Sequence, residues 1–229
     1  MRPPMAPTLI DQLFGLPFLT IRWYAVCILS GALLASLVAS RRAVARGEDP
    51  RHVQNLLMAG LLVGVLCARL YYVAFAWPRY AGQSLLTILN PQGGGLAIHG
   101  ALIGAALLTV IYTRWHGLLL LRWLDICVPT VLVGQALGRW GNFFNEEAYG
   151  RPTTLPWGLD IPAAKRISPY TDATLYPAST RFHPTFLYES LWNLGAFGLI
   201  IGLERRWGDR FRPGDSALLY GVLYSIGRF

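Results

Sequence analysis

Residues 134–151 read GQALGRWGNFFNEEAYGR, and they place polar and charged side chains directly after an apolar segment. The segment that leads into them, from about Leu118, has the length and composition of a membrane-spanning helix. Charged groups there are costly in lipid and usually face a bundle interior or a polar cavity. Residues three or four positions apart share one helix face. The stretch therefore predicts a polar site at one membrane surface, built by Arg139, Asn142 and Glu146 or Glu147.

The composition of the chain is that of a polytopic membrane protein. Of its 229 residues, 54% are hydrophobic and only 14% are charged, whereas a soluble domain is about 25% charged. The net charge of +8 comes almost entirely from arginines beside apolar segments, where they suit anionic lipid headgroups. No basic tract stands apart from these segments, so nucleic-acid binding is not expected. No metal site or cofactor is expected either, because each of the three cysteines falls within an apolar run and is interpreted as a buried hydrophobe.

Hydropathy predicts an all-α fold, a single transmembrane domain over residues 1–229 with about six spans. The last span begins near Ser216, and residues 216–229 are too short to cross a bilayer, which requires about 20 residues. We therefore expect the helix to continue in a full-length parent. The preceding spans are predicted at about 19–40, 53–77, 96–113, 118–144 and 184–203.

Arginine clusters predict the orientation of these spans. They follow spans one, three and five, at residues 41–51, 114–122 and 205–212. Positively charged loops are retained in the cytoplasm, so the N-terminus is predicted to be extracytoplasmic. Residues 145–182, between spans four and five, then also lie outside. A segment of that length usually forms a functional cap or lid.

Glycines at regular spacing predict close packing between helices, because a missing side chain lets two backbones approach. One set is Gly134, Gly138 and Gly141 in the opening stretch. A second set is Gly100 and Gly104 in span three.

Several motifs resemble those of one enzyme family, the prolipoprotein diacylglyceryl transferases. GRWGNFFNEEAYG, residues 138–150, resembles the family signature G-R-x-G-N-F-x-N-x-E-x-x-G and meets every fixed position. GGGLAIHG, residues 93–100, is similar to the glycine-rich motif before the family's histidine. HPTFLYES at 183–190 and YSIGR at 224–228 resemble two further motifs, and the WY pair at 23–24 matches a family tyrosine.

The resemblance implies a reaction, its substrates and a location. The family transfers the diacylglyceryl group of phosphatidylglycerol to the lipobox cysteine of a prolipoprotein signal peptide, which forms a thioether and releases glycerol phosphate. It works in the bacterial inner membrane. The resemblance also implies that a full-length parent completes the sixth span, within which the present sequence stops at Phe229, and adds a seventh.

The matched motifs also imply site residues. The implied catalytic residues are His99, Arg139 and Arg228, and the implied substrate-binding residues are Arg139, Asn142, Glu147, Tyr24, Tyr224 and Gly150. Asn145, His183, Tyr188 and Glu189 are expected to support them.

Each assignment has a structural alternative. His99 is either the base that takes the thiol proton or a group that orients others. Arg139 suits a phosphate because its planar fork donates two hydrogen bonds, although an ion pair with Glu146 or Glu147 would explain it too. Tyr24 could belong to the interfacial aromatic belt, and Arg228 could be a charge that snorkels to the interface.

A small-solute or lipid transporter with buried polar groups is the alternative function. Transporters place their substrate near the bilayer midplane, often between repeats. Here the polar groups gather at the outer ends of the spans, and we detect no internal repeat. An intramembrane protease would need a serine–histidine pair, HExxH or paired aspartates, and no such constellation is visible.

Overall fold

The computed structural model describes residues 1, 7–11, 21–90 and 94–228, and it is mostly helical. Within these ranges, five helices are long and apolar enough to cross a membrane. The chain is therefore a multi-pass membrane protein, as its hydropathy predicts. These helices are α1 (Trp23–Ala45), α2 (Arg51–Phe75), α4 (Ile98–Trp115), α5 (Leu120–Asn145) and α6 (Thr185–Trp207). The last of these continues into a 3₁₀ turn at Gly208–Arg210.

Two further helices are shorter. Helix α3 (Leu85–Leu89) follows a 3₁₀ turn at Trp77–Arg79, and α7 (Asp215–Ile226) has 12 residues. Helix α7 is the predicted sixth span. It is shorter than the roughly 20 residues of a bilayer crossing. The start of the predicted first span, near Leu19, lies outside the described residues.

Short strands accompany the helices. Strands β1 (Thr8–Ile10) and β2 (Ile21–Arg22) pair antiparallel. Strands β3 (Pro152–Thr153), β4 (Leu159–Asp160) and β5 (Arg181–Phe182) form a three-stranded antiparallel sheet in the order β3-β5-β4. A 3₁₀ turn at Ala163–Lys165 lies between β4 and β5.

The chain divides into two compact units, whose boundaries fall inside α1 and α5. One comprises Met1–Leu37 with Val128–Phe229, and the other Val38–Cys127. We call them the signature unit and the middle unit. The expectation of a single domain over residues 1–229 stays a prediction.

The signature unit is built on close contacts of α5. Its core is Leu132 of α5 with Ala196 and Ile200 of α6. A Cβ atom at Gly31 of α1 would lie 2.7 Å from the carbonyl oxygen of Gly134, so this approach requires glycine. Of the three glycines predicted to allow such packing, Gly134 and Gly141 do so. The prediction is wrong for Gly138, because no described neighbour lies within 4 Å of the position of its Cβ.

Residues 145–182 are an ordered part of the signature unit, with their own small core. Leu159, Ile161 and Phe182 are buried together with Phe186 of α6. The guanidinium of Arg166, which is only 6% exposed, donates to the carbonyl oxygens of Ile161 and Tyr176 at 3.0 and 2.7 Å. Buried carbonyls require such partners. The segment is therefore folded, and we call it the outer cap because the sequence predicts that it lies outside the membrane.

In the middle unit, α2 packs on α4 through small residues. A Cβ at Gly100 would overlap the backbone of Cys67, and one at Gly104 would lie 2.7 Å from the Cβ of Cys67. This confirms the predicted small-residue face. Arg69 of α2 is 4% exposed and donates to the carbonyl oxygens of Ile88 and Gly94, each at 2.7 Å. It therefore holds the loop around α3 in place.

Candidate active site

Two arginines from different helices converge on one carboxylate oxygen. In the signature unit, Nη2 of Arg139 on α5 lies 2.7 Å from Oε2 of Glu189 on α6. Nη1 of Arg228, just after α7, lies 3.4 Å from the same oxygen. The arrangement contains two guanidinium groups and one carboxylate, so its formal charge is one positive unit. We call these three side chains the arginine pair and its counterion.

A buried hydrogen bond fixes the relative position of α5 and α6 at this point. Oγ of Ser190, the residue after Glu189, donates to the carbonyl oxygen of Ala136 at 3.0 Å. Ala136 lies three positions before Arg139, on the adjacent turn of α5. This contact places the Glu189 carboxylate within reach of the Arg139 guanidinium.

The position of Arg228 depends on the preceding glycine. A Cβ at Gly227 would overlap the indole of Trp192, and Nε1 of Trp192 donates to the carbonyl oxygen of Leu223 at 3.0 Å. This carbonyl, in the last turn of α7, also accepts from the amide of Gly227 at 3.0 Å. The narrow cleft beside these contacts is lined by Arg139, Glu189, Trp192, Asn193, Tyr224, Gly227 and Arg228.

The second half of the signature forms a separate polar corner. Helix α5 ends at Asn145, and Glu146 has a φ of 57° in the left-handed region. The expectation that Glu146 or Glu147 shares a helix face with Arg139 is therefore wrong. Oε1 of Glu147 accepts from Nδ2 of Asn142 at 3.0 Å and from Nδ2 of Asn145 at 3.1 Å.

In the part of the chain that it describes, the structure does not contain the alternative ion pair of Arg139 with Glu146 or Glu147. Glu146 pairs with Lys165 of the outer cap. Among the described residues, Arg139 forms its ion pair with Glu189. Local spacing suggested Glu146 or Glu147, yet the carboxylate comes from the next long helix.

The start of α6 is joined to the end of the signature by backbone contacts. The amide of Gly150 donates to the carbonyl oxygen of His183 at 2.9 Å. A Cβ at Gly150 would lie 2.9 Å from the Cβ of His183, so a side chain would not fit. The hydroxyl of Tyr188 accepts from Nε1 of Trp157 and lies 3.1 Å from Nδ1 of His183.

Two tyrosines lie next to the residues of the signature and the cleft. Tyr24, at the start of α1, packs against Gly141, where a Cβ would lie 2.7 Å from its Cδ2. Tyr224 lines the cleft and stacks on Tyr220, with ring centroids 5.8 Å apart. Both predicted substrate-binding tyrosines thus belong to the signature unit.

His99 belongs to the middle unit. It is the second residue of α4, is exposed, and stacks on Tyr71 with ring centroids 6.0 Å apart. Its role as the base stays a prediction.

Two features of the site escaped the sequence analysis. Trp192 gives no signal in the sequence, because an aromatic residue in an apolar helix is ordinary. Asn193, which is 5% exposed and lines the cleft, could have been noticed as an amide within a span.

Comparison with known proteins gives the same family that the sequence motifs resemble. The family described as "Prolipoprotein diacylglyceryl transferase" matches residues 11–229. A protein of Chloroflexus aggregans named phosphatidylglycerol--prolipoprotein diacylglyceryl transferase is 56% identical, over 99% of this chain and 76% of that protein. Proteins of the same name from Gloeobacter violaceus and Parasynechococcus marenigrum are 43% and 44% identical, over 96% and 94% of this chain. They are covered over 78% and 76% of their own lengths.

Proposed function

The chain belongs to the prolipoprotein diacylglyceryl transferase family, and from this we infer that it transfers the diacylglyceryl group of phosphatidylglycerol to a prolipoprotein cysteine. In this reaction the thiolate sulfur attacks the glyceryl carbon that bears the phosphate. A carbon–sulfur bond forms, the carbon–oxygen bond breaks, and its electron pair leaves on the phosphate oxygen of glycerol phosphate. The thiol proton passes to a base.

The arginine pair is the proposed phosphate site, and its convergence on one carboxylate is the observation that carries the proposal. A phosphodiester has a single negative charge, which matches the single positive charge of Arg139, Arg228 and Glu189 together. Guanidinium groups bind phosphate oxygens through paired hydrogen bonds. The leaving group gains negative charge as the bond breaks, and fixed positive charge stabilises that change.

Glu189 gives the arginines a partner before the lipid binds. Arg228 is 55% exposed and its contact with Glu189 is the longer one, at 3.4 Å. Exposed ion pairs contribute only about 0–1 kcal/mol. Arg228 therefore turns readily from the carboxylate to a phosphate oxygen, while Arg139 holds the closer contact.

The remaining site residues receive roles from their contacts. Asn142 and Glu147 orient the signature corner, with Asn145 in support. Gly150 lets the start of α6 approach that corner, and His183 and Tyr188 stabilise it. Tyr24 and Tyr224 face the lipid headgroup in this proposal, and His99 takes the thiol proton.

The substrates determine where the enzyme works. Phosphatidylglycerol enters from the lipid phase and the prolipoprotein signal peptide presents its lipobox cysteine at the outer surface. We place the protein in the bacterial inner membrane with its N-terminus outside, because the arginine clusters follow the first, third and fifth spans.

The test is release of glycerol phosphate by the protein in detergent, with phosphatidylglycerol and a lipobox peptide. Release should require both substrates and disappear in Arg139→Ala. Arg205→Ala, an exposed arginine near the other end of α6, is the matched control and should retain activity. If wild-type protein that is folded releases nothing, the transferase assignment fails and the transporter alternative gains support.

A further inference from the structure

The outer cap contains a second, larger pocket. It is about 650 Å³ in volume and is lined by Pro152, Thr153, Thr154, Ser179, Thr180 and Arg181. This volume lies within the range of roughly 300–1,000 Å³ that ligand sites occupy. Four of the six lining residues carry a hydroxyl group. Such a surface offers hydrogen bonds to a polar ligand rather than an apolar bed for lipid tails.

One wall of the pocket is the edge of the cap sheet. Strand β3 contributes Pro152 and Thr153, and in the order β3-β5-β4 it has a paired strand on one side. An exposed sheet edge receives an extended peptide as a further strand in several peptide-binding proteins. Here Pro152 has no amide hydrogen and offers only its carbonyl oxygen, so the pairing is limited to few hydrogen bonds. Gly158 lets the chain before β4 pack closely against Arg181 of β5, since a Cβ there would lie 2.8 Å from the Cβ of Arg181.

The same ladder leads directly to the phosphate site. Beyond the β3–β5 pairs, the amide of Gly150 donates to the carbonyl oxygen of His183, and the amide of His183 donates to that of Arg151, each at 2.9 Å. His183 is followed by Pro184 and then by α6, the helix that carries Glu189. The edge strand and the counterion of the arginine pair therefore belong to one continuous hydrogen-bonded structure.

We propose that this pocket binds the stretch of prolipoprotein that follows the acceptor cysteine, as an extended strand along β3. The proposal rests on the proposed transferase function. The signal peptide before the cysteine lies in the membrane, so the chain after it must leave toward the outer side, where the cap is. The exposed Arg181, with Arg151 beside Pro152, favours an acidic residue in this stretch.

The first experiment compares two lipobox peptides in the transfer assay. One ends at the cysteine, and the other continues for about six residues, the length of a typical strand. Wild-type enzyme should show a KM roughly tenfold lower for the longer peptide, which corresponds to one or two net backbone hydrogen bonds. Thr154→Trp, which fills the pocket, should abolish this difference. Thr171→Trp, an exposed threonine of the same cap outside the pocket, should preserve it.

Different results would overturn the transferase function and the pocket proposal. If neither peptide is modified by wild type, the transferase function itself is wrong. If both are modified with equal KM, only the pocket proposal is overturned. A second measurement does not depend on turnover: a longer peptide with serine in place of the cysteine carries a photo-crosslinker after that position. Crosslinks should map to residues 152–154 or 179–181, whereas crosslinks to lipid would assign the pocket to the membrane surface and contradict the proposal.

Discussion

At the scale of single residues, the two arginines differ in their distance to the Glu189 carboxylate and in their exposure. Arg139 and Glu189 are 25% and 23% exposed and lie 2.7 Å apart, whereas Arg228 is 55% exposed at 3.4 Å. Partial burial strengthens the first pair and solvent screens the second. Arg139 therefore has a structural role beside its proposed functional role, whereas Arg228 contributes little to structure.

The difference between the two ion pairs predicts that substitutions at Arg228 and Glu189 affect stability differently. Arg228→Ala should change the free energy of unfolding by less than about 1 kcal/mol and still lower the transfer rate by about a hundredfold or more. Glu189→Ala should lower the free energy of unfolding by about 1–3 kcal/mol, because it leaves Arg139 without its carboxylate. Thermal unfolding in detergent and glycerol phosphate release measure the two effects. Equal destabilisation by both variants would mean that Arg228 is a structural residue.

His99 gives a prediction about pH. His99→Gln retains hydrogen bonding without basicity, so at neutral pH transfer should fall by about a hundredfold. As the pH rises toward the pKa of a free thiol, about 8.5, the peptide forms thiolate without a base and part of the activity should return. His116→Gln, in the turn after α4, is the control. Near-normal transfer by His99→Gln at neutral pH would assign His99 a structural role.

At the scale of elements, the contact between α6 and the end of α7 positions Arg228. Gly227→Ala should raise the KM for phosphatidylglycerol and lower kcat by about tenfold, because the added Cβ overlaps the Trp192 indole and shifts Arg228. Gly221→Ala is the matched control on α7, since no described neighbour lies within 4 Å of its Cβ position. Equal effects of the two substitutions would show that any glycine replacement in α7 is harmful.

The helices themselves were predictable from the sequence, because long apolar runs bounded by arginine and proline leave few alternatives. The ion-pair partner of Arg139 was not predictable from the sequence. Helical spacing pointed to Glu146 or Glu147, but α5 ends at Asn145 and the partner is Glu189 of another helix. Spacing describes one element, whereas ion pairs between helices depend on packing such as the Ser190–Ala136 hydrogen bond.

The outer cap shows the same limit. Its prolines and lower hydropathy predicted a cap or lid, which stays a prediction, but they did not predict a folded core. Leu159 and Phe182 are buried residues of very short strands, and Ile161 directly follows one of them. Strands of two residues show no alternation in the sequence. Nothing in the sequence marks Arg166 as buried, because its partners are backbone carbonyl oxygens.

At the scale of the whole molecule, charge distribution predicts the orientation in the membrane. In a variant with Cys27, Cys67 and Cys127 replaced by alanine, Thr171→Cys in the outer cap should react with a membrane-impermeant maleimide in spheroplasts. Arg210→Cys should react only after the membrane is permeabilised. The opposite labelling would reverse the orientation and place the outer cap in the cytoplasm.

The central claim is that Arg139 acts on the phosphate through its planar fork and not merely through its charge. The most direct measurement is glycerol phosphate release by Arg139→Lys beside wild type, with both proteins shown to be folded in detergent. A lysine keeps the positive charge but presents a point charge without paired donors. The account predicts that Arg139→Lys retains no more than about a tenth of the wild-type rate. Full activity in that variant would contradict the proposed phosphate site.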